Sequence, residues 1–155
     1  MAAGSTAADP RDMEERTRYV IAAAVLVGAT PVATWWVVGD LSSEGFDDLD
    51  YMVRPPAIPP LVETLAGVVA VAAVLASATV LGLALHRRRL RRVWRATVVP
   101  LCAAGVVVGC GARMVTAGGI GANIGGAMAV FFGLPLAFLL IVAAALNGWW
   151  ERGRF

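Results

Sequence analysis

Residues 86–95 read HRRRLRRVWR. Six of the chain's thirteen arginines fall within these ten positions, and a long apolar run borders them on each side. A basic loop between two apolar runs is the signature of a chain that crosses a bilayer twice and leaves its arginines on the cytoplasmic side. The rest of the sequence is read outward from this loop.

The run before it, residues 61–85, carries a single charge, Glu63, near its start. The run after it, residues 96–117, carries only Arg113, near its far end. Two further runs, 19–39 and 120–148, are free of charge. Each is long enough to cross a hydrocarbon core of about 30 Å at 1.5 Å per residue. With 59% hydrophobic and 15% charged residues in 155, the chain is too apolar for a soluble domain, in which roughly a quarter of residues are charged. The sequence therefore predicts an all-α membrane protein, an antiparallel bundle of four transmembrane helices.

Orientation follows from arginine placement. One side collects Arg11, Arg16 and Arg18, the loop residues Arg87, Arg88, Arg89, Arg91, Arg92 and Arg95, and the C-terminal Arg152 and Arg154. The other side holds Arg54 and Arg113. Both termini are expected in the cytoplasm, with the protein multi-pass in the cell membrane. Residues 1–18 read as a flexible tail, with helix starting at the earliest from Asp12, and 151–155 as a short cytoplasmic tail. The first run resembles a signal peptide in position, but its length, its acidic preceding segment and its lack of an A-x-A site predict an uncleaved anchor. Pro31 and Pro135 are expected to kink their helices. Trp35, Trp36, Trp94, Trp149 and Trp150 mark the interfaces with water.

The loop at 40–60, DLSSEGFDDLDYMVRPPAIPP, sets Asp40, Glu44, Asp47, Asp48 and Asp50 against one arginine. Its paired prolines favour an extended strut, and Pro60 suits the first turn of the next helix. The carboxylates invite a cation-binding reading, but they lack the spacing and turn glycine of a calcium loop, which favours a solvated acidic loop. Measured from the basic loop, Arg113 lies about 27 Å along its helix and Glu63 about 33 Å along its own. They reach similar depth, so an interhelical ion pair is open to them, with Asn123 and the loop carboxylates as rival partners. The alternative is that each reaches water separately.

Small residues recur every four positions at Gly121, Gly125, Ala129, Gly133 and Ala137, and again at Gly105 and Gly109. Such stripes let helices approach closely. They predict that the third and fourth spans pack as a hairpin, with a homodimer through the same stripe as the rival. Cys102 and Cys110 lie eight residues apart, about 12 Å on one helix and too far to bridge, and read as buried apolar side chains. His86 is the only histidine. No metal set, cofactor motif or nucleophile–base arrangement is present in the sequence, so neither a cofactor nor an enzyme is expected. The basic loop is expected to contact anionic lipid head groups; it lacks the aromatic platforms of a nucleic-acid surface, and no nucleic acid is expected.

The overall layout, the arginine-only basic loop and the segment DLDYMVRPPAIPP resemble the small four-span membrane proteins of actinobacteria. That resemblance implies the four-span fold and carries no activity with it. Two functional classes remain. One is a structural, assembly or regulatory membrane component with a membrane-protein partner or a second copy; the other is a small oligomeric channel or exporter. The topology has a direct test: a cysteine placed at Ser43 is expected to react with an impermeant thiol reagent applied outside intact cells. Labelling only after lysis would reverse the orientation.

Overall fold

A computed structural model describes residues 10–42, 51–88, 90, 92–119 and 122–152. The helices are α1 (Pro10–Val38), α2 (Pro60–His86), α3 (Arg92–Thr116), α4 (Ala122–Met128) and α5 (Leu134–Arg152), with a π-helical turn, Ala129–Gly133, between the last two. Four stretches are long and apolar enough to cross a membrane: Met13–Val38, Pro60–His86, Trp94–Thr116 and Ile124–Trp150. The fourth is made of α4, the π turn and α5 together. Helix begins at Pro10, so the part of the expected tail from there to residue 18 is an extension of α1.

The side chains are distributed as a bilayer demands. The buried apolar residues are Ala23, Ala33, Ala70, Leu81, Ala84, Ala104, Ala137 and Ala144, with Thr30 and Ser77 the buried polar ones. Many of the large apolar side chains, among them Leu75, Phe131, Phe138 and Leu139, are exposed. Lipid solvates those groups as well as a core would, so helix association relies on close approach of small residues instead. Thr64, Thr79 and Thr116 return their hydroxyls to the carbonyl four residues earlier, which leaves none of the three unmet.

The spans pack in the order α2, α1, α3, α5. Consecutive spans are antiparallel, and the central pair α1 and α3 run parallel, since Gly105 lies at Thr30, Gly109 at Thr34 and Arg113 at Trp35. A Cβ at Gly109 would stand 2.6 Å from the Pro31 carbonyl oxygen, so only glycine permits this approach. The stripe Gly105, Gly109 therefore faces α1, not the fourth span as expected. Residues 107 and 111, about 200° around the helix, face the fourth span at Gly133 and Ala129.

The fourth-span stripe is also divided. Gly133 and Ala129 meet α3, whereas an added Cβ at Gly125 would meet nothing within 4 Å. Gly121 lies outside the described residues. The division falls between Gly125 and Ala129, ahead of the π turn, which itself spans the two residues that keep the α3 contact. The π turn runs directly into α5, with Pro135 the second residue after it. The expected break at Pro135 is thus taken up by the wider turn before it.

Pro100 in α3 has a different remedy. Without an N–H it leaves the Ala96 carbonyl, four residues back, without its helical donor. Asn147 of α5 donates its side-chain amide to that carbonyl at 3.0 Å. Sequence reading passed over both residues. Asn147→Ala is expected to destabilise the protein by about 1 kcal/mol in reversible detergent unfolding. In a Pro100→Ala background, where Ala96 regains a backbone donor, the same change should have almost no effect; equal losses in both backgrounds would show that the two residues are uncoupled.

Candidate functional site

The polar residues gather at the end of the bundle opposite the arginine loop. There α1 stops at Val38, and Gly39, at φ 72°, turns the chain in the left-handed region that glycine tolerates. The Gly39 N–H donates to the Trp36 carbonyl at 3.1 Å. The Trp35 carbonyl, one of the final four of α1, is left without a helical partner.

Arg113, in the last turn of α3, supplies it. The residue continues the Gly105, Gly109 stripe by one more step of four, so the contact that brings α3 against α1 delivers its side chain to the end of α1. Its Nε donates to the Trp35 carbonyl at 2.7 Å, and its Nη2 donates to Oε1 of Glu63 at 2.6 Å. The guanidinium also lies 3.7 Å from the centroid of the Trp35 ring. Only 11% of the Arg113 side chain is exposed, against 31% for Glu63. Among the described residues, every buried side-chain nitrogen and oxygen has a partner.

The electrostatics agree at each contact. Glu63 lies in the first turn of α2, where the helix dipole is positive, and Arg113 meets the carbonyl end of α1, where it is negative. One cation therefore joins three helix ends: its own, the end of α1 and the start of α2. The ring of Trp36 completes the join by lying across Gly67, where a Cβ would collide with it.

The loop is tied to the same end. Asp40 accepts the Ser42 N–H at 2.9 Å, and the Ser42 hydroxyl accepts the Gly118 N–H at 3.0 Å. Hydrogen bonding from Ser42, with a smaller contribution from the Arg113 charge, holds the Asp40 carboxyl below the usual range. Tyr51 pairs with Gly118 through an antiparallel bridge, and its ring occupies the space a Cβ there would need. The Val53 N–H donates to the Val115 carbonyl at 3.2 Å, which satisfies one of the last carbonyls of α3. Met52 packs on Gly126 of α4.

The sequence-selected residues thus divide. Glu63, Arg113 and Asp40 come together. Glu44, Asp47, Asp48 and Asp50 lie outside the described residues, as does the side chain of Asn123. On the opposite side, Arg87, Arg88 and Arg95 are exposed, Arg89 and Arg91 lie outside the described residues, and the side chain of Arg92 is not described. Arg87 caps α2, and Arg88, at φ 54°, turns the chain away. Among the described residues no three His, Cys, Asp or Glu side chains converge as metal ligands.

Sequence reading missed the Trp35 carbonyl and ring, Ser42, Tyr51 and Met52. The signal for Trp35 was present: its carbonyl falls in the last turn before a helix-stopping glycine, at the depth of Arg113. The contacts of Ser42, Tyr51 and Met52 are set by how the loop folds back, and no periodicity encodes that. Comparison with known proteins adds nothing to this geometry: no family model, curated protein or solved structure matches the chain.

A double-mutant cycle tests the join. Glu63→Gln is expected to cost about 1 kcal/mol and Arg113→Gln about 2–3 kcal/mol, because the arginine also serves the Trp35 carbonyl. The double variant should resemble Arg113→Gln alone, with a coupling of about 1 kcal/mol. Additive losses would show that the pair carries no energy of its own.

Proposed function

We propose that this polytopic membrane protein is a non-enzymatic structural, assembly or regulatory component of a bacterial cell membrane, with both termini cytoplasmic and the tethered loop displayed outside. The observation that carries this reading is the closure of the polar site upon itself. Arg113 meets a carbonyl, a carboxylate and an aromatic face, all from its own chain, at 11% exposure. A group that binds a passing substrate keeps its donors open to it; here Nε and Nη2 are engaged in joining helix ends. The segments anchored through Ser42, Tyr51, Met52 and Val53 then offer a surface to a membrane-protein partner or a second copy of the chain.

One observation favours a second reading, a small oligomeric channel or exporter. Transporters use interrupted helices near the midplane, and the fourth span is interrupted by the π turn Ala129–Gly133. Against it, the only charged side chains set into the four spans away from the arginine side are Glu63 and Arg113, both at helix ends.

Two measurements separate the readings. Native mass spectrometry after mild-detergent extraction should show a defined complex with another membrane protein or a closed homo-oligomer. Proteoliposomes of the purified chain should leak no faster than protein-free vesicles. Selective flux that is lost on Arg113→Gln would overturn the first reading in favour of the second.

A further inference from the structure

On the arginine side, α2 and α3 each pack on α1 and not on one another, and leave a cleft with α1 as its floor. Leu26 forms the floor, Ala78, Leu81 and Leu85 one wall, and Val98 and Cys102 the other, around about 260 Å³. Both walls run about 10 Å into the membrane, from Leu85 to Ala78 and from Arg95 to Cys102. The lining is apolar except for the exposed Arg95, which stands with Trp94 and Leu90 at the end toward the basic loop. The exposed Arg87 and Arg88 lie at the same membrane surface.

We propose that this cleft holds one acyl chain of an anionic phospholipid whose phosphate is taken by Arg95. The cleft opens sideways into the bilayer, so the molecule that reaches it is a lipid. Its single charged lining residue is a cation, placed where an apolar chain would give way to a head group. An arginine fork fits phosphate oxygens in two parallel hydrogen bonds, and an indole beside it suits the boundary between chain and head group. Neighbouring arginines of the same sign favour a net negative head group over a zwitterionic one. The larger groove between α1 and α3, about 490 Å³, shares Trp94 and Val98 but is lined by no charged residue, and so lacks the head-group partner. The inference requires only that the chain lie in a bilayer, and it stands apart from the proposed role of the loop.

Gly82 lines the cleft, and an added Cβ there would meet nothing within 4 Å. Gly82→Leu therefore fills the space without striking another part of the protein. Gly28, in the α1–α3 groove, has the same freedom and supplies the control. The full chain in mild detergent is titrated with phosphatidylglycerol or with phosphatidylcholine of identical chains, and bound lipid is counted by native mass spectrometry. One phosphatidylglycerol should be retained with about fivefold preference, the size of one basic contact at a membrane surface. Arg95→Gln should erase that preference. Gly82→Leu should lose the bound lipid at unchanged helical content, and Gly28→Leu should keep it. Arg95 is exposed, so its variant tests the head-group contact even if Gly82→Leu does not fold. Equal retention of both lipids by the unaltered protein, or unchanged retention by Gly82→Leu, would overturn the proposal. So would a dimer that Gly82→Leu separates without changing lipid binding, because the cleft would then hold a second copy.

Discussion

A backbone carbonyl at the end of a membrane helix has little water to turn to, and in this protein one arginine answers that need for α1. Arg113 accepts no choice of partner: it lies where the Gly105, Gly109 stripe delivers it, against the unmet carbonyl of Trp35 and the carboxylate of Glu63. Packing and charge are consequently one device. Without glycine at 109 the two helices would stand apart and the guanidinium would not reach; without the guanidinium, a helix end and a half-buried carboxylate would lose their counterpart.

The same requirement explains contacts that look unrelated. Pro100 frees the Ala96 carbonyl, and Asn147 crosses from α5 to meet it. The last turn of α3 exposes the Val115 carbonyl, and the Val53 N–H arrives from the loop. At the arginine side α2 ends differently, because the Arg87 and Arg88 N–H groups fold back on Leu83 and Leu85. The helices are thus connected chiefly where regular helical bonding fails, while along their lengths small residues let backbones touch.

Much of this was legible in the residues. Four spans follow from apolar run length, and the level shared by Glu63 and Arg113 follows from counting along two helices. Partner assignment was the harder step. The spacing of Gly105 and Gly109 announces a close contact but does not say with which helix, since any neighbour satisfies a groove. The fourth-span stripe held only in part: Ala129 and Gly133 keep the contact with α3 across the π turn, whereas Gly125, one step of four earlier in α4, has no neighbour within 4 Å of an added Cβ. Pro100 and Asn147 lie on separate spans at similar depth, which is a readable signal once the missing N–H is counted. The folding back of residues 51–53 onto Val115, Gly118 and Gly126 is tertiary, and no repeat in the sequence foretells it.

The packing order α2, α1, α3, α5 has a consequence in time. Arg113 follows Glu63 by fifty positions, so it reaches the Trp35 carbonyl and Glu63 only after the chain has run through α2 and back along α3. Only when α3 has crossed, threading back beside α1 rather than beside the helix it follows, does the far end of the bundle lock. Biogenesis of this protein therefore has a late, single-residue closing step, written about fifty residues downstream of the carboxylate it completes.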